Sequence, residues 1–269
     1  MIRLVRAEWL KLRTTAVPWV LAIIAVVLDA LFILTVFLTK PNVGGVRDTS
    51  AGYIVPHTVT QLRDLVGAGF ETYLLAMLLG ALCITTEFRH KTVTTSFLVV
   101  PRRATFVTTK LITAALAGIG LAVGVLVATV IGGGAALAAR GGSFTAMLHQ
   151  VPAVAPGMLL VFALFAILGV GVGSLLTNQV AAITALLGWF VVAQNILIGL
   201  VHGALKWVPS GAAEAAANLS VRNGGGGGGG GGIVGFELFT WWQGALLILG
   251  YGVAFAAVGW AVMTRRDIT

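Results

Sequence analysis

Hydrophobic residues along the chain fall into six blocks of about 20 residues, and polar residues are concentrated between them. A helix of about 20 apolar residues crosses the roughly 30 Å hydrocarbon core of a bilayer. The sequence lacks the alternation over about ten residues that is typical of membrane-spanning strands, so each block is predicted to be a helix. The pattern predicts an all-α polytopic membrane protein, one transmembrane unit over 1–269, with spans at about 18–38, 66–86, 107–131, 154–176, 180–201 and 240–262.

The segment before the first block has a regular pattern of its own. Ile2, Val5, Trp9 and Leu12 form one stripe on a helical wheel, and basic residues flank it. This favours an interfacial helix over 1–14, with its stripe in the lipid and its cations near anionic headgroups. We therefore expect membrane lipids to be direct partners of this segment.

Composition excludes a water-soluble globular domain. Apolar residues make up 58% of the chain and charged residues only 10%, whereas soluble domains average about 25% charged residues. The single cysteine, Cys83, lies in an apolar block, which excludes a disulfide framework and a cysteine metal site. The net charge of +8 would suit nucleic acid only as a basic face on a soluble module, so no nucleic-acid partner is expected.

The positions of the charges predict the orientation in the membrane. Lysine and arginine accumulate in short cytoplasmic segments. Most of the 17 basic residues lie before the first span, between the second and third spans or at the start of the third, and after the sixth. They are Arg3, Arg6, Lys11, Arg13, Arg89, Lys91, Arg102, Arg103, Lys110, Arg265 and Arg266. Both termini are therefore predicted to be cytoplasmic, in agreement with an even number of spans.

Sequence motifs for chemistry within the chain itself are missing. The sequence has no phosphate-binding G-x-x-x-x-G-K loop, no H-E-x-x-H and no G-x-S-x-G elbow. Glu87 and His90 have the Glu-x-x-His spacing of di-iron bundles, but such sites need two pairs and further carboxylates. We expect no catalytic residue, no metal and no cofactor in this chain, and therefore no enzyme activity of its own.

Three polar residues within the predicted spans are candidates for a pathway. Asp29 falls near the middle of the first, where a carboxylic acid costs about 2.5 to 3.5 kcal/mol on insertion scales and should face the bundle interior, a partner or water. Gln194 and Asn195 lie at a similar or slightly outer depth in the fifth. These side chains either line a translocation path or form hydrogen bonds between helices, and the sequence favours neither.

The most informative segment follows the second span, over 87–105. Val93, Phe97 and Val100 recur at helical spacing and form one apolar face. Pro101 ends that helix before two arginines. A short amphipathic helix in this place is either an interfacial anchor or a docking surface for a cytoplasmic partner.

The longest outer connection covers 202–239. Its alanine-rich stretch, Gly211 to Leu219, is expected to form a short helix. The glycine run over 224–232 has no side chains to bury and is expected to be a mobile tether.

These segments together resemble a known family. Glu-Phe-Arg-x-Lys-Thr-Val-Thr-Thr followed by Pro-Arg-Arg over 87–103, the opening Glu-Trp-Leu-Lys-Leu-Arg-Thr over 8–14, and the closing Arg265-Arg266-Asp267 are similar to the membrane subunits of type 2 ABC exporters, particularly small bacterial permeases. The likeness covers the whole chain in layout, although only the loop over 87–105 carries a fairly specific motif. It implies a multi-pass protein of the bacterial plasma membrane.

The resemblance also implies roles for individual residues. The coupling helix that contacts a separate ATPase subunit would run from Thr92 to Val100 and would include Val93 and Phe97. Glu87, Arg89 and His90 would lie at the end of the second span, and Arg102 and Arg103 would flank the coupling helix. ATP and magnesium would then be bound by two partner ATPase subunits, and a second permease copy or a related permease would complete the pathway.

The expected function is therefore that of a permease subunit of an ATP-driven exporter for an amphipathic substrate such as a drug, lipid or peptide. Asp29, Gln194 and Asn195 are the candidates for its pathway. One alternative is an ion-coupled secondary transporter in which Asp29 titrates. Another is a membrane anchor or sensor subunit that binds a partner but moves no substrate.

Overall fold

A computed structural model of the chain describes residues 2–38, 56, 58–89, 103–176, 178–201, 203–217 and 239–265. Helices account for the regular structure of these ranges, and no strand occurs within them. The helices are α1 Ile2–Thr14, α2 Ala16–Leu38, α3 Val59–Val66, α4 Tyr73–Arg89, α5 Arg103–Ala138, α6 Phe144–Leu148, α7 Val151–Leu175, α8 Gln179–Leu187, α9 Gln194–Leu200, α10 Pro209–Ala216 and α11 Trp241–Arg265. Short 3₁₀ turns occur at Phe70–Thr72 and Ala204–Lys206, and a π-helical turn at Gly188–Ala193 joins α8 to α9.

Six helical segments of the described chain are long and apolar enough to cross a membrane, which confirms the predicted class and number of spans. They are Ala16–Thr35, Gln61–Arg89, Val107–Ala138, Val151–Leu175, Gln179–Leu200 and Trp241–Gly259. The predicted interfacial segment is also helical, as α1, over Ile2–Thr14. We number the spans one to six in this order.

The second span differs from the continuous helix predicted over 66–86. It starts earlier, in α3, where Thr58 caps the helix and Gln61 completes a capping box. It is then interrupted at Gly67–Gly69 before the 3₁₀ turn and α4 continue it. The interruption is possible because this stretch is buried among other helices and irregular backbone at membrane depth must be covered by protein.

Helix α7 forms the centre of the bundle and packs against α4, α5 and α11. Phe162 and Phe165 are fully buried in this core. The α4 and α7 backbones touch directly, because a Cβ atom added to Gly169 would overlap the carbonyl oxygen of Met77. By contrast, a Cβ atom added to Gly120 in α5 would meet nothing within 4 Å.

Polar contacts show which helix ends lie together. At one end, which we call the N-terminal end, Lys11 of α1 contacts Glu87 of α4, and Arg89 Nη1 donates to Gln179 Oε1 of α8 at 3.2 Å. At the opposite end, Arg140 after α5 donates to the carbonyl of Phe37 at 3.0 Å. The end of span two and the start of span five therefore lie beside α1 at one end of the bundle, and the ends of spans one and three lie together at the other.

The outer connection forms a compact structure where it is described. The predicted alanine-rich helix is present as α10, Pro209–Ala216. It packs closely on α11, since a Cβ atom on Gly244 would lie 2.5 Å from the carbonyl oxygen of Ala212. The predicted glycine tether over 224–232 lies outside the described residues.

Candidate functional site

Four charged side chains meet at the N-terminal end of the bundle and form what we call the ionic cluster: Glu8, Lys11, Glu87 and Lys110. Lys110 Nζ donates to Glu87 Oε1 at 2.7 Å and to the Cys83 carbonyl at 3.3 Å, and it also pairs with Glu8 Oε2. Lys11 Nζ donates to Glu8 Oε1 at 2.9 Å and to Glu87 Oε1 at 3.2 Å. The cluster joins α1, α4 and α5 at one point.

Helix geometry places these groups next to one another. Glu8 and Lys11 are three residues apart on α1, so they share a face. Cys83 and Glu87 are four residues apart near the end of α4, so the Cys83 carbonyl lies below the Glu87 carboxylate. The C-terminal turn of a helix attracts cations. The end of α4 therefore favours the ammonium group of Lys110 beside it.

Most of the cluster is hidden from solvent. Lys110 and Glu87 have side chains that are only 4% and 7% exposed, whereas Lys11 is 55% exposed. A buried pair of this kind tolerates loss of one partner badly, because the remaining charge has no solvent to compensate it. Lys110 and Glu87 are therefore the structural centre of the cluster, and Lys11 is its solvent-facing edge.

The two residues of the cluster in α1 stabilise each other's charged forms. Burial works to raise the pKa of Glu8, but the charge and hydrogen bond of Lys110, aided by Lys11, outweigh it and lower the pKa below its usual 4.5. Burial likewise works to lower the pKa of Lys11, but Glu8 and Glu87 raise it above 10.5. Both groups are thus held ionised in the folded protein at neutral pH.

A cavity of about 520 Å³ lies beside the ionic cluster. Its charged wall is the cluster itself, and Leu12, Val17, Leu79 and Leu82 form its apolar wall. Leu12 of α1 also packs against the buried cluster that contains Leu79 and Leu82, so the ion pairs add to an apolar contact in attaching α1 to the spans.

The ionic cluster also lies next to the segment that the sequence singles out. Glu87 and Arg89 lie in the last turn of α4, and Arg103 begins α5. Of the predicted coupling residues, His90, Thr92, Val93, Phe97, Val100 and Arg102 lie outside the described residues. The structure thus places Glu87 in the cluster and Arg89 on Gln179, at the point from which the predicted coupling helix departs.

Asp29, the first pathway candidate, is buried in span one with 1% of its surface exposed. Thr129 Oγ1 of α5 lies 2.8 Å from Asp29 Oδ1. The expectation that this carboxyl group faces the bundle interior is met. It does not contact Gln194 or Asn195 by hydrogen bond in the described part of the chain.

The other two candidates follow the π-helical turn of span five. Gln194 is buried, and its Oε1 atom has no hydrogen-bond partner among the described residues. Asn195 is exposed, and its Nδ2 donates to the carbonyl of Val191 at 2.9 Å and contacts that of Phe190 at 3.4 Å. Its amide therefore satisfies carbonyl groups of the widened turn. The three candidates do not form one continuous polar strip.

The sequence alone did not identify Glu8, Lys11 and Lys110 as members of a site. Lys110 lies inside the apolar block predicted over 107–131, and a cation in a span needs a partner. That signal points to a site but not to the acids that complete it. Within the described ranges, no three side chains of His, Cys, Asp or Glu come together to hold a metal ion.

Comparison of the sequence with protein-family models and with curated proteins gives no match.

Proposed function

We propose that the chain is the permease subunit of an ATP-driven exporter of the type 2 ABC kind, and that a separate ATPase subunit docks on the segment over 90–102. The observation that carries the proposal is the ionic cluster, which joins α1 to both helices that flank this segment. A segment on which an ATPase exerts force needs a rigid attachment to the spans, and the ionic cluster would provide it.

The ionic cluster would transmit movement of the docking segment to the helices that it joins. Glu87 lies three residues before that segment and Lys110 eight residues after it, so a push on the segment acts on α4 and α5 together. Glu8 would carry the same movement to α1 at the membrane surface. In this account, two ATPase subunits bind ATP and magnesium, and closing of the ATPases shifts the population between inward-open and outward-open states by a few kcal/mol.

The proposal of an amphipathic substrate is supported by an apolar cavity in the bundle. It has a volume of about 700 Å³ and lies between α7, span five, the outer connection and α11. Trp189, Phe190, Trp207, Tyr251 and Phe255 are among its lining residues. Sites for drug-sized molecules have volumes of about 300 to 1,000 Å³ and mostly apolar walls with aromatic groups. Among the described residues, no charged side chain lines this cavity.

Proteoliposomes test the proposal against its alternatives. The chain is co-expressed with an ABC ATPase subunit of its source organism. A second copy of the chain or a related permease is allowed to assemble with it, and the complex is reconstituted. The proposal predicts movement of ethidium or of fluorescent phosphatidylethanolamine only with the ATPase, ATP and magnesium present.

Two other outcomes would contradict it. Movement of either probe by the chain alone under a proton gradient would support the ion-coupled secondary transporter, for which the buried carboxyl group of Asp29 is the supporting observation. Binding of the ATPase with hydrolysis of ATP but without movement of any probe would support an anchor or sensor subunit.

A further inference from the structure

Asp29 lies about 20 Å along α2, near the middle of span one. Only one hydrogen-bonding side chain of the described residues reaches its carboxyl group, and that is Thr129. Asp29 takes no part in the ion pairs of the ionic cluster, which lie at the N-terminal end, well removed from this depth. A carboxyl group this deep without a cation carries a high cost if it is ionised.

The carboxyl group packs directly against the interruption in span two. A Cβ atom added to Gly69 would lie 2.7 Å from Asp29 Oδ1 and would also overlap Val125. The turn is held by Thr72, whose Oγ1 donates to the Gly69 carbonyl at 2.7 Å. This close packing leaves no space for a hydrated cation or for the ammonium group of a substrate beside Asp29.

No described charged side chain faces Asp29 from the elements around it. Helix α2 packs against α1, α4, α5 and the 3₁₀ turn. Outside the ionic cluster, the charged or titratable groups of these elements include Glu71 on the turn and Tyr73 at the start of α4, and α3 adds Arg63 and Asp64. None of them forms a hydrogen bond or ion pair with Asp29 in the described chain.

Two oxygen atoms compete for the single hydrogen of the Thr129 hydroxyl group. Its Oγ1 is 2.8 Å from Asp29 Oδ1 and 3.0 Å from the carbonyl oxygen of Val125, one turn earlier in α5. A hydroxyl group has one hydrogen and can donate to only one of these oxygens. If Thr129 donates to Val125, as threonines in helices often do, the other contact is a hydrogen bond only when Asp29 donates to Thr129.

We propose that Asp29 and Thr129 form a proton-binding site inside the membrane, closed by the Gly67–Gly69 interruption of span two. In this state the proton sits on Asp29, which donates to Thr129, and Thr129 donates to Val125. Release of the proton would leave a carboxylate with a single hydrogen bond. It would therefore require α2 to move away from Gly69 so that water or a cation can enter, and proton occupancy holds the packed arrangement.

This inference does not depend on the permease proposal, since a bound proton can control packing in an exporter or in a secondary transporter. It is tested without ATPase or substrate. Infrared difference spectra of the full-length protein in lipid vesicles at neutral pH are recorded for wild type minus Asp29→Asn. Asparagine keeps the size of the side chain and a hydrogen-bond donor but cannot hold a carboxyl proton.

The expected result is a carbonyl stretch of a protonated carboxyl group that is present in the wild type, moves on transfer to heavy water, and is lost in Asp29→Asn. Thr129→Val, which removes the acceptor, should shift this band without removing it, and it provides the test if Asp29→Asn fails to fold. Glu71→Gln is the control, and it should leave the band in place. The proposal would be overturned if the difference spectrum showed carboxylate bands in place of the protonated carboxyl band. It would also be overturned if Thr129→Val left the protonated carboxyl band at the same frequency.

Discussion

The Nζ atom of Lys110 lies 2.7 Å from Oε1 of Glu87, and this contact ties the start of span three to the end of span two. Both side chains are almost fully buried, and Glu8 of α1 approaches the same ammonium group from the other side. One lysine therefore connects three helices at the point where the predicted docking segment leaves the membrane. The stability of this connection is the first property that the structure allows us to predict.

Lys110→Met should destabilise the folded protein by about 3 to 5 kcal/mol, because it leaves Glu87 buried without its cation. Lys11→Met is the matched control and should cost less than about 1 kcal/mol, since Lys11 is more than half exposed. Unfolding followed by tryptophan fluorescence in detergent measures both. Addition of Glu87→Gln to Lys110→Met should recover part of the loss, and equal losses for Lys110→Met and Lys11→Met would contradict the assigned centre of the cluster.

Acid should weaken the attachment of α1 through Glu8. The pKa of Glu8 is lower in the folded protein than its usual 4.5, so its contribution to stability is complete above that value. The contribution is lost as the pH falls through the lower folded pKa. The unfolding midpoint of the wild type should therefore run parallel to that of Glu8→Gln at neutral pH and fall more steeply than it as the pH is lowered through and below 4.5. Parallel curves for the two proteins would show that Glu8 is not held ionised by Lys110.

The glycines of α7 and α5 should respond in opposite ways to one added methyl group. Gly169→Ala drives a Cβ atom into the Met77 carbonyl of α4 and should cost about 1 to 3 kcal/mol. Gly120→Ala meets nothing within 4 Å and should be neutral or slightly stabilising because alanine favours a helix. Thermal unfolding of the two variants measures the contrast, and a larger loss for Gly120→Ala would mean that α5 has a close partner at that face.

The approximate positions of the six spans and of α1 followed from the sequence, because membrane thickness and helical periodicity act on neighbouring residues. The interruption of span two did not, since 66–86 is an apolar block whether or not its helix is continuous. Gly67 and Gly69, together with the capping box of Thr58 and Gln61, were the available signals. A local pattern of this kind shows that a helix starts and that a turn is permitted, but burial by other helices decides whether the turn forms.

The candidate site was harder to predict than the spans. Glu87 was selected from its motif, but its partner Lys110 is 23 positions away and Glu8 is 102 positions from Lys110. Such pairings are set by the packing of α1, α4 and α5, for which a single sequence contains no direct signal. The same holds for Asp29 and Thr129, which are 100 positions apart. The π-helical turn before Gln194 is equally hidden, because its residues fit a continuous α-helix.

Substitutions of two adjacent residues in span five should have opposite effects on stability. Gln194→Leu should raise stability by about 1 kcal/mol, because it removes a buried oxygen that lacks a partner in the described chain. Asn195→Leu should lower stability by about 1 kcal/mol, because the Val191 carbonyl loses its donor. Chemical unfolding in detergent distinguishes them. A loss of stability in Gln194→Leu would show that its amide has a structural partner.

The proposal that the segment over 90–102 docks an ATPase is the central claim, and it has one direct measurement. Phe97→Asp with Val100→Asp places two charges on the predicted apolar face, whereas Thr94→Asp with Thr95→Asp places the same number of charges outside that face. Each variant is co-expressed with the ABC ATPase subunit that the wild type retains on purification, extracted from membranes and purified through a tag on the chain. We predict that the first pair inserts normally but recovers no ATPase, while the second pair recovers it as the wild type does; unchanged recovery with Phe97→Asp and Val100→Asp would contradict the account.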